Sequence, residues 1–112
     1  MPQLRARIDE ELARGWMLTI ATIDGHIAGM LAIRPPMLDQ LFVAPAWQGR
    51  GVGRALFAEA RHRMPGGFTL WTQPDNIRAR RFYERQGMAL ISIGPRADKP
   101  GQVVVHYEWR PV

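Results

Sequence analysis

The chain contains no cysteine. That removes disulfide frameworks, thiolate nucleophiles and cysteine-ligated metal sites together. Serine is nearly as scarce, with Ser92 alone, and no serine, cysteine or histidine constellation suggests a covalent enzyme intermediate. The three histidines, His26, His62 and His106, are scattered without ligand-like spacing, so no metal is expected. No apolar run approaches the roughly 20 residues of a membrane span. The opening MPQLRARIDEELARG carries charge throughout and lacks the apolar centre of a signal peptide. A cytoplasmic location is the expectation from these absences. There is no repeat, low-complexity tract or long linker, so residues 1–112 are expected to form one domain.

What is present is arginine. The net charge is +5, and fourteen of the fifteen basic residues are arginines, Lys99 being the exception. Arginine forks bind phosphates bidentately, so a phosphorylated cofactor, an acidic surface or a nucleic acid would each suit the charge. A solvated surface explains the same charge equally well. No recognition-helix or RNP-type motif is present, which ranks nucleic-acid binding last.

Hydrophobic spacing divides the chain into short elements. Leu4, Ile8 and Leu12 stand four apart and predict a helix over 3–14, stopped by Gly15. Residues 16–23 and 26–34 read as two strands around an Asp24-Gly25 hairpin turn. Residues 37–44 read as a third strand between Pro35-Pro36 and Pro45. A helical pattern runs from Gly51 to Met64, with Val52, Ala55, Leu56 and Ala60 on one face. FTLWT at 68–72 is a strand. Asn76 can cap a helix over 77–86, whose inner face would hold Ala79, Phe82, Tyr83 and Gln86, and Gly87 stops it. Strands at 88–93 and 103–110 flank a polar loop. The fold class is therefore α/β (α+β): a mixed, mostly antiparallel sheet of about six strands flanked by about three helices.

The stretch LFVAPAWQGRGVGRALF, residues 41–57, carries the chemistry. A strand enters a glycine-rich turn and then a helix. Glycines let a backbone approach a ligand closely, and the first N–H groups of a helix are unpaired and positive. Arg50 and Arg54 add charge at the same end, so a diphosphate is the expected ligand. A P-loop would need a lysine and a Ser or Thr after the last glycine, but Arg54-Ala55 stand there. A dinucleotide G-x-G-x-x-G would need glycine at 54. The pattern Q/R-x-x-G-x-G/A fits, through Gln48, Gly51 and Gly53.

With that pattern the chain resembles the GNAT superfamily of acyl-CoA-dependent N-acyltransferases. A second block supports the resemblance: Asn76-x-x-Ala79-x-x-x-Tyr83-x-x-x-Gly87-Met88 is similar to the family's N-x-x-A-x-x-x-Y-x-x-x-G-F. The two blocks span residues 37–93, about half the chain. Family members usually begin with a further strand and helix, and the present chain reads as starting at the second helix. The acceptor pocket would then be open, or completed by a second copy in a homodimer.

The resemblance implies an acetyl-CoA co-substrate and direct attack of a small-molecule or peptide amine on the thioester. The pantetheine would lie between the strands matching 37–44 and 68–72. Backbone groups around Phe42 and Val43 would bind it, and an N–H there would stabilise the oxyanion. The N–H groups of Gly49, Arg50, Gly51, Val52, Gly53 and Arg54 would hold the pyrophosphate, with Gln48 leading the motif. Tyr83 matches the position that protonates the departing thiolate; a core tyrosine is the alternative. Asn76 could touch the cofactor or act only as a helix cap. Asp39 is the candidate general base, with Glu11 behind it. A non-catalytic CoA-binding module is the main rival reading.

Overall fold

Asp24 and Gly25 adopt φ of 49° and 79°. Two successive left-handed residues are what a tight type I′ hairpin turn requires, and Asp-Gly is among its preferred occupants. The turn joins β2 (Met17–Ile23) to β3 (His26–Arg34), which pair antiparallel along their lengths. β3 pairs in turn with β4 (Met37–Val43).

The computed structural model describes residues 5–8, 16–96, 99 and 101–111. They fall in two compact units, Met1–Pro65 and Gly66–Val112. The first holds an antiparallel run β1-β2-β3-β4. It also holds a short 3-10 turn over Pro45–Trp47 and helix α1 (Val52–Arg63).

The expected first helix is corrected here. Residues Arg5–Ile8 form strand β1, paired antiparallel with β2 from Arg5–Thr22 to Ile8–Thr19. The reason is visible in the local pattern. Leu4, Ala6 and Ile8 alternate with Arg5 and Arg7, a period of two that competes with the period of four. Pairing with an exposed strand edge rewards the first and not the second. The rest of the expected helix, with Glu11, lies outside the described residues. The described residues thus hold seven strands and two α-helices.

Helix α1 packs on β2, β3 and β4. Its buried residues are Val52, Leu56, Phe57 and Ala60, spaced as one helical face. They meet Ala21, Ile23, Ala28, Leu31, Ile33 and Leu38 in the core of this unit. Burying each Leu, Ile or Phe contributes about 1.5–3 kcal/mol. On the outer face Glu59 and Arg63 form an i, i+4 pair at 2.8 Å.

The second unit is built around β7 (Val103–Trp109), which pairs antiparallel with both β5 (Phe68–Thr72) and β6 (Ala89–Pro95). Helix α2 (Ile77–Arg85) lies between β5 and β6 in sequence. The face of the three strands toward α2 carries Leu70, Tyr107 and Leu90 in one lateral row. Among them Tyr107 is completely buried. β6 is different: Leu90, Ile91 and Ile93 are 44%, 51% and 57% exposed, so this strand presents apolar side chains to solvent.

Candidate active site

The glycine-rich turn sits at the N-terminus of α1. Gly49 and Gly51 have φ of 76° and 83°, in the left-handed region where a side chain is strained. Gly51 is the N-cap of α1, and as glycine it supplies no side-chain cap. No acidic residue stands in the first turn. The first N–H groups of α1 are therefore neither capped by a side chain nor neutralised by a carboxylate, and the positive end of the helix dipole lies there. Gly53 lies within that first turn and leaves it bare. A Cβ on Gly49 would meet nothing within 4 Å, so the turn opens outward at that point.

The side chains around this turn are of two kinds. Arg50 and Arg54 are exposed, and the Arg50 guanidinium stands 5.3 Å from the centroid of the Trp47 ring. Val52 is 2% exposed, so its side chain belongs to the core and only its backbone N–H serves the turn. Gln48 donates from Nε2 to the Val43 carbonyl at 3.2 Å. That bond ties the turn back to the end of β4, a role its place in the motif did not reveal.

The pairing of β4 separates Phe42 from Val43. The Ala44 N–H donates to the Ala28 carbonyl at 2.8 Å, and Val43 stands opposite Gly29. Those two facts make Val43–Gly29 a non-hydrogen-bonded pair and Phe42–Met30 a hydrogen-bonded one. The backbone groups of Phe42 are thus directed into the ladder with β3, while the N–H of Val43 points away from β3. The Phe42 side chain is half exposed. Asp39 is exposed and sits at a β-bulge, since Ala32 opposes Gln40 while Ile33 opposes Leu38.

The second block lies on α2, and each of its motif positions has a structural task. Asn76 Oδ1 accepts the Ala79 N–H at 3.3 Å, an N-cap. At the other end the Met88 N–H donates to the Tyr83 carbonyl, and the Gly87 N–H to the Glu84 carbonyl, both at 3.1 Å. Gly87 has φ of 92°. This is a Schellman closure, which needs a left-handed residue where Gly87 stands. Tyr83 and Met88, both buried, are the apolar pair that accompanies it.

The Tyr83 ring packs edge-on to Phe82 at 5.4 Å and against Tyr107 at 6.3 Å. Burial pushes its phenol up to about 12. Tyr107 donates its hydroxyl hydrogen to Glu84 Oε2 at 2.6 Å and accepts from Arg80 Nε at 3.2 Å. Arg80 also donates to the Pro74 carbonyl at 2.9 Å. This network ties α2 to β7 and to the loop before it, and the sequence reading had not singled it out. Its members are 23 and 27 residues apart, a separation that leaves no local signal.

Of the histidines, His26 and His62 are exposed, and His106 is half-buried on β7 opposite Trp71 and Ser92. Among the described residues no three metal-ligating side chains come together. No helix among them is long and apolar enough to cross a membrane.

The chain is similar to known proteins. A family model described as Acetyltransferase (GNAT) family matches residues 2–88. The mycothiol acetyltransferase of Corynebacterium jeikeium is 38% identical over 79 residues, which are 69% of this chain and 22% of that protein. The chain thus spans under a quarter of that relative's length. A GNAT-family acetyltransferase structure from Desulfovibrio desulfuricans aligns with TM-score 0.75 at 28% identity, covering 86% of this chain and 69% of that one. A streptothricin acetyltransferase from Bacillus anthracis, solved with acetyl coenzyme A, aligns with TM-score 0.78 at 19% identity, covering 88% and 65%.

Proposed function

The chain belongs to the GNAT acetyltransferase family, and from that premise we propose that it transfers an acetyl group from acetyl-CoA to an amine. The observation that carries this reading is the open N-terminus of α1. Two left-handed glycines, an uncapped first turn and two exposed arginines make a cradle for a pyrophosphate. These residues fit the diphosphate of acetyl-CoA. Gly49, Arg50, Gly51, Val52, Gly53 and Arg54 would hold it through backbone N–H groups, with Arg50 and Arg54 adding charge. Gln48 supports the cradle by tying it to Val43.

Bound acetyl-CoA supplies an acyl group on a thiol leaving group. The Val43 N–H is the donor in this reading: it points away from β3 and would polarise the thioester carbonyl. Asp39, exposed on its bulge, takes a proton from the acceptor ammonium, directly or through water. Tyr83 gives its phenolic proton to the departing thiolate, which leaves as the thiol. Its raised pKa keeps the phenol protonated at neutral pH, as a donor must be. The same value makes it a weaker acid than an exposed tyrosine, against a thiol reference of about 8.5. That weakness favours a second reading, a non-catalytic CoA-binding module. Asn76 serves as a cap in either reading. Self-association into a homodimer is part of the proposal, with apolar edge strand β6 in its favour, and the mass in solution tests it.

The deciding experiment is thiol release from acetyl-CoA across a panel of amines, beside a calorimetric titration with acetyl-CoA. Release with at least one amine supports transfer. Tight binding with no release from any amine supports the non-catalytic module, and no binding at all ends both readings.

A further inference from the structure

The glycine-rich turn has an aromatic neighbour that its motif does not include. Ala44 follows β4 and donates its N–H to the Ala28 carbonyl at 2.8 Å, and Trp47 donates its N–H to the Ala44 carbonyl at 2.8 Å. Trp47 is thus tied back to β3 through two backbone bonds. Pro45 stands at the start of the 3-10 turn that carries it, and its ring restricts the backbone there. The Trp47 side chain is half-buried. Three residues on, the Arg50 guanidinium carbon stands 5.3 Å from the centroid of the Trp47 ring. That is inside the ~6 Å reach of a cation–π contact.

Arg50 stands between Gly49 and Gly51, whose φ of 76° and 83° are both left-handed. The turn therefore sets where the Arg50 side chain departs, and the ring limits where its head goes. Among the described residues no carboxylate is paired with Arg50. Its neighbour is an uncharged ring, which leaves its positive charge for an anion. Arg54 differs: it is exposed in the first turn of α1, and among the described residues no ring holds its guanidinium.

We propose that Trp47 is a positioning residue for Arg50, and that the pair serves a pyrophosphate at the N-terminus of α1. Trp47 acts through Arg50 and makes no contact with the anion. An arginine side chain loses rotamer freedom when it binds a phosphate, and that loss weakens binding. A ring that already restricts the guanidinium removes part of the loss before the ligand arrives. Arg50 then donates to phosphate oxygens through charge-assisted bonds. This deepens the proposed function and rests on its reading of the turn as a diphosphate cradle.

Calorimetric titration with inorganic pyrophosphate, and separately with acetyl-CoA, tests the pair. Arg50→Gln should weaken both about tenfold. Trp47→Leu should weaken both about threefold, the size of an exposed cation–π contact, and Trp47→Phe should recover most of that. The decisive reading is the double variant. Trp47→Leu should cost nothing further once Arg50→Gln is present, yet cost its full threefold beside Arg54→Gln. In turnover Trp47→Leu should raise KM for acetyl-CoA by the same factor and leave kcat nearly alone. A second measurement needs no change at Trp47: NMR order parameters of the ligand-free protein should show the Arg50 side chain more ordered than that of Arg54. An equal cost of Trp47→Leu with and without Arg50, no cost at all, or equal order in the two arginines overturns the positioning role and leaves acetyl-CoA binding standing. Coupled pyrophosphate binding without any acetyl-CoA binding supports the positioning role and overturns the acetyl-CoA reading. Binding of neither ligand overturns both.

Discussion

A Cβ placed on Gly29 would stand 2.6 Å from the Phe42 carbonyl oxygen. The same atom would lie 3.0 Å from Leu56 Cδ1 and 3.2 Å from Val52 Cγ1. Gly29 is therefore where β3, the end of β4 and the first turn of α1 meet at closest approach. The open helix N-terminus at Gly51 is held against the sheet through that contact. The proposed cofactor cradle rests on a glycine nineteen residues before Gln48, the first residue of its motif.

Gly29→Ala should accordingly destabilise the protein by about 1–3 kcal/mol, because the nearest obstacle is backbone and cannot rotate away. Chemical denaturation measures this. Acetyl-CoA affinity of the folded fraction should fall as well, since α1 must shift. A variant as stable as the parent would mean that the sheet yields freely at this point.

Gly49→Ala separates strain from ligand approach. Its Cβ would meet no neighbour, so stability should fall only by about 1–2 kcal/mol, from the left-handed φ. If a pyrophosphate lies against this turn, the added methyl obstructs it. The Kd for acetyl-CoA, read by calorimetry, should then rise about tenfold or more. Unchanged affinity would remove the turn from the cofactor site.

Tyr83→Phe tests the proton donor. Turnover should fall by about 10² while the affinity for acetyl-CoA stays nearly constant. Equal turnover in the variant would return Tyr83 to the core alone, where its contacts with Phe82, Tyr107 and Met88 already give it a place.

The same residue sets an alkaline limit on stability. The folded phenol titrates at about 12, against about 10 in the unfolded chain. Above about pH 10 the unfolded state loses its proton first, so rising pH favours unfolding. The stabilisation is complete below about pH 10 and is lost as pH rises toward 12, by about 3 kcal/mol in all. The Tyr107 phenol is raised too, first by burial and then by its bond to Glu84. Denaturation between about pH 9 and about pH 11 should show the decline, and Tyr83→Phe should flatten it without abolishing it.

Asn76 carries two readings that substitution can separate. Asn76→Ala should cost about 1 kcal/mol by uncapping α2, and Asn76→Asp should recover most of it. If the side chain serves the cap alone, Asn76→Asp binds acetyl-CoA as the parent does. A contact with the phosphates would instead make the added negative charge weaken binding sharply, as a titration would show.

Much of this molecule was legible along the chain because the relevant physics is local. Asp24-Gly25, Gly51 and Gly87 mark positions that need left-handed dihedrals, and all three adopt them. The face Val52, Leu56, Ala60 is set by helical period, and Asn76 is a cap because its side chain reaches three residues ahead. The two blocks that resemble the GNAT pattern are runs of this local kind, which is why the family could be read from them. The first helix failed for the same reason in reverse: over four to eight residues a period of two and a period of four fit the same leucine and isoleucine.

The sequence by itself determined the turns, the Asn76 cap, the two helices and the strands from Met17 onward, and it raised the expectation that QGRGVGR takes an anion. Tertiary structure alone decided what depends on residues distant along the chain. It made Arg5–Ile8 a strand, because a neighbouring strand edge was there to receive it. It aimed Val43 rather than Phe42 away from β3, because ladder register fixes which amides are already bonded. It bound Gln48 to Val43, and it brought Arg80, Glu84 and Tyr107 into one network. Periodicity and turn chemistry act over three or four residues, whereas these contacts are made by packing, which has no counterpart in local spacing.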